Sequence, residues 1–255
     1  MTEKVNRMDN YSAYKKKQWD STDYGRWFES ESGMVVDNLE KKALIQALQG
    51  MKYNEVLDVG VGNGRLIKIY YPYIKKLIGI DISKRQIEEA KLVAQNYDIK
   101  ADFELCQDAS KLVFSNNQFD AIFCTRVLQH VFNWKMAISE FERVLKPGGD
   151  LILITYNRFS VYGIIKYFQN KLIDSNQGRF RNPLSLKKEL HNNNFKISFY
   201  SCALMSQPTV FPDYLIKKTK NIFLRMEFLS NVPLLKYFGE RQVIRATKII
   251  INENK

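Results

Sequence analysis

Residues 55–66 read EVLDVGVGNGRL, and this stretch decides the fold. It opens as a short apolar run, Val56 and Leu57, closed by Asp58. Gly60, Gly62 and Gly64 then fall at every second position. Glycine at that density strips side chains from a backbone that something must approach closely. A buried strand entering such a turn, with helix-like residues 63–70 behind it, has the form of the first strand, loop and helix of an open α/β sheet.

Downstream the chain keeps alternating. KLIGI (76–80) reads as a second strand and SKRQIEEAKLVAQNY (83–97) as a helix with Ser83 at its N-cap. DFELCQ (102–107) and FDAIFC (119–124) read as the third and fourth strands. WKMAISEFERVLK (134–146) reads as a helix stopped by Pro147-Gly148-Gly149, and DLILIT (150–155) as the fifth strand. Upstream, VVDNLEKKALIQALQ (35–49) has helical spacing. Short β-rich runs between helices predict a parallel sheet covered on both faces. After residue 156 the chain changes character. FSVYGIIKYFQNKLI (159–173) is apolar and aromatic with embedded lysines. DYLIKKTKNIFLR (213–225) sets Leu215, Ile216, Ile222 and Phe223 on one side and Lys217, Lys218 and Lys220 towards the other. RQVIRATKIII (241–251) reads as the last strand.

Length and composition fit one large soluble domain, with 45% hydrophobic and 26% charged residues supplying an ordinary core and surface. Within it, residues 1–34 read as an N-terminal cap, 35–156 as a ligand-binding core and 157–255 as insertions and final strands. The opening residues lack the apolar run of a signal peptide, and no stretch reaches the ~18 apolar residues of a membrane span. Cys106, Cys124 and Cys202 show no C-x-x-C pairing, so reduced thiols and no metal site are expected, in a cytoplasmic setting. The net charge of +12 is uneven: residues 1–150 carry +1 and residues 151–255 carry +11. Concentrated positive charge predicts an anionic partner for the last two-fifths of the chain: a phosphate, a nucleic acid or a membrane surface.

In an α/β sheet the ligand crevice lies beyond the carboxyl ends of the strands. The glycine loop sits there, and Asp81 closes the second strand where a carboxylate can accept from ribose hydroxyls. The dinucleotide fingerprint G-x-G-x-x-G is broken, because the run is G-x-G-x-G and Arg65 stands where that fingerprint wants Gly or Ala. Asp58 at the strand end would repel a pyrophosphate and welcome an ammonium or sulfonium. The residues therefore favour a ligand with ribose and positive charge and no phosphate.

VLDVGVGNGRL, GIDIS, CQDAS, FDAIFCTRVLQHV and RVLKPGGDLILIT together resemble, in order and spacing over about residues 35–156, the successive motifs of the class I S-adenosylmethionine-dependent methyltransferases. That resemblance implies a Rossmann-like seven-stranded sheet, mostly parallel with the last strand antiparallel, and S-adenosyl-L-methionine as cofactor. It also implies that Gly60, Gly62 and Gly64 pass under the methionine part with Asp58 beside it. Asp81 would hold the ribose and Ile82 pack on the adenine. Asp108 would accept from the adenine amino group, with Ala109 beside it, and Thr125 and Arg126 would line the pocket near the methionine moiety. Competing structural readings stand beside these: a helix cap for Asp81, a turn residue for Asp108, a surface arginine for Arg126.

A sulfonium methyl is already electrophilic, so alignment and water exclusion are the main tasks, with a base useful for a hydroxyl acceptor. His130 in VLQHV is the candidate catalytic residue; its competing reading is a hydrogen-bonded residue opening the next helix. His191 sits on a predicted surface helix. Tyr14, Trp19 and Tyr24 are candidates for a lid, or for a packed cap. The fourth strand ends CTRV, unlike the N-P-P-Y signature of enzymes that methylate nucleic-acid or glutamine amino groups. No Pro-Cys pair follows it. The leading expectation is methyl transfer to O or N of a small-molecule, sugar or lipid-linked acceptor, with peripheral contact to an anionic membrane at its inner face. The alternatives are an RNA methyltransferase that grips phosphates with the basic segment, nucleic acid being the lesser partner, and a non-catalytic S-adenosylmethionine-binding scaffold.

Overall fold

Strand β1 (Tyr53–Val59) occupies the middle of the sheet because its residues are apolar towards both faces. Val56 enters one hydrophobic cluster and the adjacent Leu57 the other, and neither touches solvent. The computed structural model describes residues 13–21, 24–106, 108–170, 180–206 and 208–250. Its seven strands run in the order β3-β2-β1-β4-β5-β7-β6. They are β2 (Ile74–Asp81), β3 (Ala101–Leu105), β4 (Phe119–Thr125), β5 (Leu145–Tyr156), β6 (Phe195–Ala203) and β7 (Arg241–Lys248). Strands β1 to β5 pair in parallel, and β7 is antiparallel to both β5 and β6, so the expected last antiparallel strand is present.

Helices cover both faces. Helix α1 (Glu31–Leu48) begins earlier than its apolar spacing predicts, because Ser30 caps it and accepts from the Gly33 amide at 3.0 Å. It shares one cluster with α2 (Lys84–Asn96). Helix α3 (Trp134–Val144) shares the other with α5 (Pro183–Asn192). Helix α4 (Val161–Asn170) follows β5, and α6 (Asp213–Met226) packs on α1.

Four expectations need correction. Only the second half of residues 63–70 is helix, at Ile67–Tyr70; positive φ at Gly62 and Gly64 holds the first part open, and Pro72 carries the chain into a 3-10 turn. Pro147-Gly148-Gly149 does not stop α3, which ends at Val144. The three residues form a bulge inside β5, where pairing to β4 jumps from Phe119–Leu145 to Ala121–Asp150 and Gly148 takes φ +79°. On α6, Ile216 and Phe223 are buried but Ile222 is exposed, since it lies about 100° round the helix from Phe223. The expected third strand ends at Leu105, where its pairing with Asp81 of β2 stops. Residues 171–179 of the apolar stripe lie outside the described residues.

Candidate active site

The carboxyl edges of β1, β2 and β4 and the loop after β3 open on one cleft. Its walls include Asp58, Gly60, Gly62, Asp81, Ile82, Asp108, Ala109, Thr125, Arg126 and His130. These residues come from separate stretches of the chain, and the strand order alone brings them together, as the crossover at the sheet centre requires. Gly64 is the exception: it does not line the cleft. A Cβ there would lie 3.1 Å from Ala90 Cα of α2, with φ at +78°, so this glycine serves helix-to-loop packing. Gly60 also has a packing role, since a Cβ would fall 2.0 Å from Val127 Cγ2. Gly62 faces open space, where a Cβ would meet only Gln86 Oε1, at 3.7 Å.

Asp81 braces the loop. Its Oδ2 accepts from the Gly62 amide and its Oδ1 from the Ser83 amide, both at 2.9 Å. Burial pushes its carboxyl above the usual range, against those two hydrogen bonds. Asp58 is more strongly affected. Burial raises it to about 7, opposed by the Tyr70 hydroxyl that donates to Oδ2 at 2.5 Å and assisted by the negative charge of Asp81. Tyr70 itself is fully buried. Asp108 folds into a turn on the Ser110 amide and hydroxyl, at 2.9 and 2.8 Å. The cap and turn readings of Asp81 and Asp108 therefore hold alongside their position on the cleft wall.

Arg126 follows β4 with φ at +62°, an unusual conformation for a residue with a side chain. Two contacts hold it. Its amide donates to Ile154 O at 2.7 Å, and its carbonyl accepts from Gln129 Nε2 at 2.6 Å. The guanidinium is directed to Tyr156 Oη at 3.3 Å and to the buried Glu40 at 3.7 Å, which excludes the reading as a surface arginine. Glu40 is shared with Arg65 at 2.8 Å and Arg241 at 3.3 Å. Burial opposes its charge, yet the three guanidiniums hold its carboxyl below the ordinary value.

His130 ends a 3-10 turn (Leu128–His130), and its Nδ1 has no hydrogen-bond partner among the described residues. Burial, then the positive charges of Lys15, Arg126 and Arg181, lower its pKa to about 3. The imidazole is neutral at physiological pH. The helical residues 13–21 lie across the cleft. Lys15 and Trp19 line it, the Trp19 ring meets His130 edge-on at 5.4 Å, and Asp20 accepts from Ser83 Oγ at 2.6 Å. Tyr14 is exposed and does not line the cleft.

The sequence alone did not point to Gln86, Tyr70 or Glu40. Gln86 lines the cleft with its side chain buried, and neither amide atom has a partner among the described residues. Ser83 and Gln86 sit at the N-cap and N3 positions, where a glutamine ordinarily reaches back to the N-cap amide. Asp81 already takes that amide, so the Gln86 side chain is left for the cleft.

Residues 57–153 match the family described as Methyltransferase domain. The ubiquinone biosynthesis O-methyltransferase of Coxiella burnetii is 34% identical over 113 residues, 44% of this chain and 48% of that protein. The protein of the same name from Pelagibacter ubique is 28% identical over 192 residues, 67% of this chain and 77% of its own length. The chain thus spans about half the length of several of the curated relatives it matches. Among solved structures, a geranyl diphosphate methyltransferase in complex with GPP and sinefungin superposes with a TM-score of 0.64 at 13% identity, covering 94% of this chain and all (100%) of that one. The sequence match thus covers the central sheet, residues 57–153, as a methyltransferase domain, and over the rest of the chain the likeness to solved methyltransferases is one of fold.

Proposed function

We propose that the protein moves the methyl group of S-adenosyl-L-methionine to an oxygen, or a nitrogen, of a small-molecule acceptor, with a lipid-linked acceptor at an anionic membrane surface as the finer reading. The carrying observation is the distribution of charge in one cleft: carboxylates from Asp58, Asp81 and Asp108 around the glycine loop, facing Arg126 and the neutral His130. Three carboxylates disfavour a pyrophosphate and suit a cationic nucleoside, and the orphaned Gln86 amide is a buried polar group that a ribose or amino-acid moiety would satisfy. The residues therefore fit the cofactor.

Bound there, S-adenosylmethionine supplies a methyl group already activated on a sulfonium. Asp58 attracts the positive charge of the methionine moiety, and Asp81 fixes the loop through the Gly62 amide. Gly60, Gly62, Ile82, Ala109 and Thr125 supply the close walls, and Asp108 offers its second carboxylate oxygen. Gly64 contributes through loop packing. Trp19 and Lys15 cover the cleft and exclude water. Neutral His130 accepts a hydrogen bond from the acceptor hydroxyl and orients it. With a pKa of about 3 it is too weakly basic to remove the proton ahead of transfer, but it can take the far more acidic proton that the methylated oxygen still carries and pass it to solvent. The relatives' O-methyltransferase names support oxygen as the acceptor atom.

The test uses methyl-labelled S-adenosylmethionine, the purified protein and a cell extract split into lipid, aqueous, RNA and protein fractions. Label in the lipid or aqueous fraction supports the proposal. Label in RNA supports the alternative, in which the basic segment binds phosphates. No label, with S-adenosylhomocysteine binding intact by calorimetry, supports the scaffold reading.

A further inference from the structure

We propose that helix α4 and the segment 208–238 form one face that docks on a bilayer rich in anionic phospholipid. The proposal deepens the membrane reading above and rests on surface chemistry, not on methyl transfer. On α4, Val161, Ile164, Ile165 and Phe168 fall at i, i+3, i+4 and i+7, the spacing of an apolar stripe that ordinarily faces a core. Here the whole stripe is exposed, with Phe168 at 65%. The second segment exposes Tyr214, Ile222, Phe228, Leu234 and Phe238, with Leu234 at 78%.

The two pieces meet. Asn157, just before α4, donates from Nδ2 to Tyr237 O at 2.7 Å and to Gly239 O at 2.9 Å. The start of α4 is therefore tied to the end of the second segment, and Asp213 at the start of α6 is fastened to Ser32 of α1, whose hydroxyl donates at 2.5 Å.

Charge selects the occupant. Residues 157–170 contain no acidic residue, and residues 208–238 contain only Asp213 and Glu227. Asp213 is engaged by Ser32. Glu227 accepts from the Leu204 and Met205 amides at 2.9 and 3.0 Å. Lys217, Lys218, Lys220 and Arg225 are all exposed. Apolar side chains set among cations, with Asp213 held by Ser32 and Glu227 by two backbone amides, match the interfacial layer of an anionic membrane. No helix of the described residues is long and apolar enough to cross a membrane, so the contact is peripheral. A chain of contacts links the second segment to the cleft wall: Thr209 donates to Glu240, which pairs with Arg241, and Arg241 shares Glu40 with Arg126.

The experiment is sedimentation of the full chain with phosphatidylcholine vesicles, with and without about a third phosphatidylglycerol. Binding to the anionic vesicles alone, partly reversed by salt, is expected. The double variant Lys217→Glu, Lys218→Glu should weaken it at least about tenfold, since each cation near such a surface is worth on the order of a kcal/mol. Phe168→Glu should weaken it as well. Failure to bind anionic vesicles, or equal binding by all variants, overturns the proposal. So does a dimer in light scattering that Phe168→Glu dissolves, which would make a second copy the occupant. Calorimetry with S-adenosylhomocysteine on the same samples separates the two readings. Intact cofactor binding with no vesicle binding removes only the docking face; the reverse removes only the methyl-transfer assignment.

Discussion

Titrating Asp58 should couple cofactor affinity, proton release and stability in one measurable set. Burial raises its carboxyl from 3.8 to about 7, a bias of roughly 4 kcal/mol towards the protonated form at 1.36 kcal/mol per unit. The folded value lies above the unfolded one, so this group favours the fold below about pH 3.8. That contribution is lost as the pH rises through about 7. At pH 8 the ionised Asp58 therefore costs the unliganded protein up to about 4 kcal/mol. Asp58→Asn removes the charge yet keeps an oxygen for the Tyr70 hydroxyl, so the variant should melt higher at pH 8. The gain should shrink steadily between pH 7 and pH 4. A cationic ligand beside Asp58 requires the carboxylate. At pH 6 its binding should release close to one proton, and affinity should fall towards tenfold per pH unit below about 7. Calorimetry with S-adenosylhomocysteine in two buffers of different ionisation enthalpy reads the proton directly. Asp58→Asn should bind more weakly with a flat pH profile. Zero proton release at pH 6, or a variant no more stable than the parent at pH 8, would refute the reasoning.

Gln86→Met should stabilise the unliganded protein by about 1–3 kcal/mol, because it removes an unsatisfied buried amide, while S-adenosylhomocysteine affinity falls about tenfold; denaturant unfolding and calorimetry check the two halves. His130→Gln should lower turnover and leave the acidic limb of the kcat/KM profile near pH 7 in place, since His130 is neutral throughout that range and Asp58 is not; a lost limb would assign the proton to the histidine. Gly60→Ala should unfold the protein or sharply destabilise it in thermal melts, given the 2.0 Å approach to Val127. Gly62→Ala meets only the strain of φ +56°, so it should cost the fold about 1 kcal/mol and act mainly on cofactor affinity.

The parts of the site legible in sequence are those set by local chain rules. A strand, a glycine turn and an acidic residue at the next strand end are neighbours in sequence, and the parallel pairing of β1 with β2 carries Asp81 to the loop without further information. Ser83 caps α2 as its residue type predicts. Errors arose where one residue type serves two local structures. Pro147-Gly148-Gly149 can end a helix or make a bulge, and the pairing of Leu145 to Phe119 of β4 selects the bulge. Gly64 belongs to the same run as Gly60 and Gly62, but only the position of α2 shows that it faces a helix.

The residues that sequence missed act through contacts that no local pattern encodes. Tyr70 reaches Asp58 because the short turn after the glycine loop doubles back under β1, and its hydroxyl then limits how far burial can neutralise the carboxyl. Glu40 looks like one polar residue on a helix, yet three arginines from separate elements converge on it. Removing it would leave those guanidiniums buried together, a larger loss than any exposed ion pair could cause. That arrangement explains why Arg126 tolerates its strained backbone: the turn is closed by Gln129 on the main chain and by Glu40 on the side chain, so the guanidinium is fixed at the cleft wall before any ligand arrives. Preorganisation of this kind is what a methyl transfer needs from its protein, because alignment and not activation is the harder task. The long-range ionic network is therefore part of the site, although Glu40, the acid that anchors it, does not line the cleft.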